Sequence, residues 1–205
     1  MTVRVKICGV TRLEDAMAAV RLGADALGFN FWPGSRRFIA PAVAKRIIRQ
    51  LPPLVTSVGV FVDSSHDEAV AAAAISGVQV IQLHGSESPI FCRSFQLPVL
   101  KAIPVGGPEA LAAVDLYAGL AGLLLDAPSA GHGGSGVPCH WPTARELAGR
   151  AAVILAGGLH PGNVAEAIAA VHPYGVDVAS GVEQSPGVKD HELMARFIGA
   201  AKESP

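Results

Sequence analysis

Between Ala151 and Glu183 the chain alternates in a way that few folds accommodate. Ala152-Val153-Ile154-Leu155-Ala156 is a short apolar run stopped by Gly157-Gly158-Leu159. Tyr174-Gly175-Val176-Asp177-Val178-Ala179 is a second, stopped by Ser180-Gly181-Val182-Glu183. The segment between them, Pro161 to Val171, carries apolar residues three and four apart, the period of a helix. Strand, helix and strand of these lengths make a βαβ unit, whose two strands run parallel. Each run ends in glycine, where backbone N–H groups can face outward unobstructed. Such groups bind phosphate, and the loops after the seventh and eighth strands of an α/β barrel are a common place for it. Gly157, Gly158, Ser180 and Gly181 are therefore the candidate phosphate cradle. Tight turns alone are the plainer explanation of any single Gly-Gly pair.

The same alternation runs through the rest of the chain. Strands are expected over Val3 to Cys8, Asp25 to Phe31, Val55 to Val62, Val78 to Leu83, Val99 to Val105 and Gly122 to Asp126. Helices are expected over Leu13 to Leu22 (capped by Thr11), Pro41 to Gln50, Asp67 to Ser76, Glu87 to Gln96, Glu109 to Tyr117, Pro142 to Ala148 and Asp190 to Ala201. Ala127 to His140 is a glycine-rich connection, too long to be an ordinary one, and is read as functional or mobile. Eight strands and eight helical segments in strict alternation define the fold class as α/β, a single (β/α)8 TIM barrel spanning residues 1–205. An open doubly wound sheet is the alternative, but its phosphate loops would come first in the chain rather than last.

Half of the 205 residues are hydrophobic, enough for a substantial core, and the formal net charge is only −1. Nucleic acid and acidic membranes are not expected as partners, so an anionic ligand must be held by a local constellation. Three scattered cysteines, Cys8, Cys92 and Cys139, fit reduced cytoplasmic thiols better than a disulfide framework. No leader-like or membrane-spanning apolar run is present in the sequence. Composition leaves the oligomeric state, monomer or homodimer, open.

In such a barrel, chemistry sits at the C-terminal ends of the strands. The polar side chains there are Cys8, Arg36 and Arg37, Gln82, His84, Asp126, Asp177 and Ser180. A thiol and a carboxyl group across a barrel mouth suit paired base and acid work on a small substrate. Each also has a bland explanation. Cys8 can be a small buried residue, Asp126 a loop hydrogen-bonder, His84 a structural histidine, and one arginine a solvated charge. Asp177 is more telling, because a charge inside an apolar strand needs a partner. The seven histidines show no metal-ligand spacing, and no metal is expected.

Several motifs, in order, resemble those of the phosphoribosylanthranilate isomerase family of tryptophan biosynthesis. They begin with Lys6-Ile7-Cys8-Gly9-Val10-Thr11, Gly28-Phe29-Asn30-Phe31, Ser35-Arg36-Arg37-Phe38 and Gly59-Val60-Phe61-Val62. Val80-Ile81-Gln82-Leu83-His84-Gly85, Leu125-Asp126, Gly133-Gly134-Ser135-Gly136 and Trp141 follow. Leu155-Ala156-Gly157-Gly158-Leu159 and Val176-Asp177-Val178-Ala179-Ser180-Gly181-Val182-Glu183, with Gly187, Lys189 and Asp190, complete the set.

That resemblance implies a cofactor-free Amadori rearrangement of a phosphorylated small molecule. It implies Asp126 as general acid, Cys8 as thiolate base, Arg37 rather than Arg36 on the anthranilate carboxylate, and the glycine loops on the phosphate. The thiolate role implies a Cys8 pKa lowered from its ordinary value. The chain departs from the family pattern at Cys139-His140-Trp141, where Phe-x-Trp is frequent, and at Ala179, where serine or asparagine is usual. Other phosphate-binding barrels are the competing enzymes. An indole-glycerol-phosphate synthase would need a catalytic lysine, for which Lys6 and Lys101 are available without the expected motif. A histidine-pathway isomerase would need an aspartate where Cys8 stands. A non-catalytic phosphate-binding barrel is the reading from another class.

Overall fold

A computed structural model describes residues 2–128 and 139–204. Eight parallel strands close into a ring in chain order: β1 (Arg4–Ile7), β2 (Ala26–Asn30), β3 (Thr56–Phe61), β4 (Val80–Leu83), β5 (Val99–Pro104), β6 (Gly122–Asp126), β7 (Val153–Leu155) and β8 (Gly175–Val178). The ring is shut by β1 against β8, with Lys6 beside Asp177 and Ile7 beside Val178. Outside it run α1 (Leu13–Arg21), α2 (Pro41–Ile48), α3 (His66–Ser76), α4 (Pro89–Cys92), α5 (Ala112–Leu116), α6 (Trp141–Ala148), α7 (Val164–Val171) and α8 (His191–Glu203).

The two-residue alternation of a strand divides the protein into two cores. Val5, Ile7, Ile81, Leu83, Leu123, Leu125, Val153, Leu155, Val176 and Val178 face the helices and join one large apolar cluster. Ala102, Leu124 and Ala156, with Ile154 packed on them, form a small second cluster. Lys6, Gln82, Asp126 and Asp177 occupy the same alternate positions as that second set and are buried. The layer that faces the barrel axis is therefore short of hydrocarbon at its upper end, and that is where a polar ligand can enter.

Four sequence expectations are corrected. Thr11 does not cap α1; its hydroxyl donates to the Gly187 carbonyl at 2.6 Å, and Arg12 stands at the cap position without a side-chain capping bond. The helix expected from Glu87 to Gln96 is a single turn. Ser88 caps it and Pro89 opens it, while Glu87 is drawn under the loop by Lys101. The segment expected as one helix from Glu109 splits into a 3-10 turn, Pro108–Leu111, and α5. Helix α7 starts at Val164, not Pro161. The Asn163 amide is engaged with the backbone at His160 and Gly158, which folds the preceding residues into a turn. The remaining strand and helix ends lie within a few residues of expectation. Of the connection after β6, residues 129–138, including the motif Gly133-Gly134-Ser135-Gly136, lie outside the described residues.

The sequence did not announce the hairpin after β8. A 3-10 turn at Ser180–Val182 leads into β9 (Glu183–Ser185), which pairs antiparallel with β10 (Val188–Lys189). Thr11 is bonded to this hairpin through Gly187, so the hairpin is tied to the rim near β1.

A charge is also buried on the helix side of the ring. Lys101 Nζ lies 2.7 Å from Glu87 Oε2 and 2.6 Å from the Gly85 carbonyl, with both side chains 3% exposed. Glu87 in turn accepts from the backbone N–H groups of Asp63 and Gly85. The pair thus fixes the loop that carries His84. Lys101→Met leaves the Glu87 carboxylate buried and unpaired, and is expected to cost about 3–5 kcal/mol of stability. Lys101→Met/Glu87→Leu should recover much of that loss, as read by urea denaturation.

Candidate active site

Above the barrel axis opens a cavity of about 480 Å³. Cys8, Arg37, Gln82, His84, Asp126, Gly157, Gly158, Asp177 and Ser180 all line it. Its floor is the polar upper layer of the barrel, and its walls are the loops after β2, β7 and β8. Gly181 is not on the lining. It packs so closely that an added Cβ would strike the Leu159 carbonyl, 2.0 Å away. Gly181 therefore couples the β7 and β8 loops by close backbone approach.

Cys8 follows β1, and its backbone N–H donates to the Val178 carbonyl, which places it at the seam with β8. Two residues below it, on the same face, Lys6 makes a buried ion pair with Asp177 at 2.9 Å. Asp177 thus has the partner that its place in an apolar strand required. Gly28 leaves room for both: a Cβ there would lie 2.7 Å from Cys8 Sγ and 3.2 Å from Lys6 Cε. The Cys8 thiol is pushed up by burial, an effect that Asp177 reinforces and that Lys6 and Lys189 only partly offset. The expectation of a lowered Cys8 pKa is corrected on this point: the cations present are shared with carboxylates, so desolvation wins. Burial works against the Lys6 ammonium too, yet Asp177 and Cys8 outweigh it and raise Lys6.

Asp126 ends β6 and is 8% exposed. One oxygen accepts from the Ala127 N–H at 2.8 Å, and the other lies 3.2 Å from His84 Nε2. His84 Nδ1 is 3.1 Å from Gln82 Nε2. With the amide donating, Nδ1 accepts and Nε2–H donates to an Asp126 carboxylate, which leaves Gln82 Oε1 without a hydrogen bond among the described residues. Turning the amide over gives the complementary state. Nδ1–H then donates to Oε1, and Nε2 accepts from a protonated Asp126. The relay accommodates both the acid and its conjugate base. Gly157, at φ +79°, lies against Asp126: a Cβ there would be 3.0 Å from Oδ1 and 2.7 Å from the Ala127 nitrogen.

The two arginines after β2 separate clearly. Both line the cavity, but Arg36 is exposed, whereas Arg37 is partly buried. Arg37 Nε and Nη2 grip Glu183 of β9 with bonds of 2.7 to 3.1 Å. Glu183 also accepts from Lys189 Nζ at 2.8 Å, and Lys189 donates onward to the Cys8 carbonyl at 2.6 Å. Sequence reasoning quoted Glu183 and Lys189 as motif residues but assigned them no place in the site. Their signal is two charges six residues apart in a short polar segment, whose meaning depends on an arginine 146 residues away. Ser180 is exposed at the start of the 3-10 turn, with the half-buried Gly157 and Gly158 of the β7 loop on the same cavity wall.

The departures are local. Cys139 is buried, with its thiol pushed up to about 12 chiefly by that burial, and His140 caps α6 through Thr143. Among the described residues no group of three or more His, Cys, Asp or Glu could hold a metal ion, and no helix is long and apolar enough to cross a membrane.

The protein-family model for N-(5′-phosphoribosyl)anthranilate (PRA) isomerase matches residues 5–200. The N-(5′-phosphoribosyl)anthranilate isomerase of Geobacter sp. (strain M21) is 52% identical over 200 residues, 97% of this chain and 98% of that protein. The crystal structure of the phosphoribosyl anthranilate isomerase from Thermotoga maritima superposes with a TM-score of 0.92 at 42% identity, covering 98% of each chain. A phosphoribosyl anthranilate isomerase in complex with reduced 1-(o-carboxyphenylamino)-1-deoxyribulose 5-phosphate does so with a TM-score of 0.88 at 40% identity, again over 98% of each chain. By matched length, identity and fold, this chain belongs to the N-(5′-phosphoribosyl)anthranilate isomerase family.

Proposed function

We propose that the chain converts N-(5′-phosphoribosyl)anthranilate to 1-(2-carboxyphenylamino)-1-deoxyribulose 5-phosphate, the Amadori step of tryptophan biosynthesis, without a cofactor. Beyond family membership, one observation carries the reading: a thiol from the β1 end and a carboxyl group from the β6 end open into the same cavity. The β7 and β8 loops, with their glycines, stand between them around the ring. The free thiols of Cys8, Cys92 and Cys139 fit a reducing compartment, the cytoplasm.

The residues take the following roles. Asp126 gives its proton to the furanose ring oxygen. The C1′–O bond breaks with its electron pair going to oxygen, and the anthranilate nitrogen lone pair forms a C1′=N iminium. The Cys8 thiolate removes the C2′ proton, and those electrons form C1′=C2′ and neutralise the nitrogen. The enolamine then gains a proton at C1′ and loses the 2′-hydroxyl proton to become the ketone. His84 and Gln82 hold Asp126 in place through both protonation states. Arg37 takes the anthranilate carboxylate on the guanidinium edge that Glu183 leaves open. Backbone N–H groups around Gly157, Gly158, Ser180 and Gly181 take the phosphate.

Freshly generated phosphoribosylanthranilate should lose its anthranilate fluorescence on addition of the protein; no loss at all would sink the proposal. Cys8→Ser keeps the shape but cannot supply an anionic base, so kcat should fall by roughly 10²–10⁴-fold with KM little changed. Asp126→Asn should lose at least ~10²-fold in single-turnover rate while still binding the product analogue. Arg37→Ala should weaken binding by about 1.5–3 kcal/mol, and Arg36→Ala far less.

Because Cys8 is raised in the free protein, kcat/KM should fall as pH drops through a value above the ordinary thiol range. Removing the nearby cation with Lys6→Met should move that limb further up, and removing the nearby anion with Asp177→Asn should move it down. The pH dependence of Cys8 alkylation, followed by mass spectrometry, reads the same ionisation independently of turnover. Shifts of the same sign in both variants would contradict this account.

A further inference from the structure

Glu183 takes no part in the proton transfers, yet its side chain is 4% exposed and spends every contact on cations and one backbone N–H. Burial pushes its carboxyl up, but the Arg37 hydrogen bonds and the Lys189 charge outweigh this and hold it below the usual carboxylate range. It is thus an anion fixed beside the arginine that faces the ligand. Of the three charges, Lys189 is fully buried and Glu183 nearly so, while Arg37 is 18% exposed and lines the cavity. Arg37 and Glu183 both line the cavity, Arg37 the more exposed of the two, and Lys189 lies behind them. Glu183 covers Nε and one side of Nη2, and the triad sums to one positive charge.

The proposed substrate carries two different anions, a carboxylate with one charge and a phosphate with nearly two. The loops assigned to the phosphate offer glycines and a serine, with no basic side chain among Gly157, Gly158, Ser180 and Gly181. An uncapped arginine backed by a lysine would be the stronger phosphate site and would invite the substrate to bind backwards. We propose that Glu183 is a specificity-determining residue that sets the polarity of binding: by capping Arg37 and offsetting Lys189, it matches that end of the cavity to a carboxylate monoanion instead of a phosphate dianion. This rests on the assignment of Arg37 to the substrate carboxylate.

The test is competitive inhibition at about pH 8, where phosphate is mainly a dianion. Inorganic phosphate and anthranilate are the probes. The proteins are the wild type, Glu183→Gln, Lys189→Met, Arg37→Ala and Arg37→Ala/Glu183→Gln. One added positive charge a few ångströms from the ligand strengthens a monoanion about threefold and, with twice the ligand charge, a dianion about tenfold. Glu183→Gln should therefore shift the phosphate-to-anthranilate preference about threefold toward phosphate and introduce inhibition at high substrate. Lys189→Met should shift the preference the opposite way, and it decides the matter if Glu183→Gln does not fold. In Arg37→Ala/Glu183→Gln the shift relative to Arg37→Ala should be smaller, because the guanidinium no longer holds the anion within a few ångströms of the changed charge. An unchanged preference in both single variants, or a shift that is undiminished without Arg37, overturns the role of Glu183. If Arg37→Ala leaves anthranilate inhibition untouched, the assignment of Arg37 itself fails, a result that the other variants cannot mimic.

Discussion

The buried pair between Lys6 and Asp177 bridges the seam where the first strand meets the last. A lysine and an aspartate facing the barrel axis would each be costly alone. Together they satisfy one another at 2.9 Å and fill a layer that small apolar residues fill elsewhere in the interior. Their position also sets the electrical surroundings of Cys8. A bare lysine beneath a thiol would draw the proton off; a lysine already paired does so only in part, and burial prevails. The same contact that helps to shut the ring therefore also bears on the ionisation of the thiol above it.

Around the mouth, charge is distributed unevenly. From the end of β2 to the end of β8 the groups are ionic and interlocked: Arg37, Glu183, Lys189, Lys6 and Asp177. The loop after β7 presents peptide groups, and the end of β6 presents a carboxyl group on an imidazole–amide relay. Asp126 and Cys8 thus sit in different electrostatic settings, which suits the opposed roles proposed for them. Asp126 is also packed against Gly157, so the carboxyl group and the first turn of the β7 loop are placed by one close contact.

Much of this was legible in the sequence because a strand exposes its logic every second residue. Cys8, Gln82, His84, Asp126 and Asp177 are polar residues at or near strand ends, in phase with the axis-facing positions, and the cavity gathers all five. The glycines after β7 and β8 were legible for the same reason: an apolar run that ends in glycine leaves its backbone exposed. What escaped notice depends on partners far away in the chain. Thr11 looks like a helix cap until the hairpin brings Gly187 to its hydroxyl. Glu87 looks like the first turn of a helix until Lys101 pulls it inward. Glu183 and Lys189 lie in strands of three and two residues, too short to leave a periodicity, and their function is defined by Arg37. The Cys8 ionisation was not legible, because it depends on burial and on the carboxylates that share the nearby cations.

The seam has a temporal consequence as well. Cys8 reaches its place only when its N–H finds the Val178 carbonyl, and Lys6 is partnered by a residue 171 positions later. On a ribosome, the first strand emerges long before the eighth strand and the hairpin that complete its surroundings. Contacts of such long sequence separation form late and slowly. Until then the barrel is an open sheet with two unpaired edges, and Lys6 is unpartnered on one of them. The surroundings of Cys8 and ring closure should therefore be completed together, near the end of synthesis, so that a truncated chain holds neither.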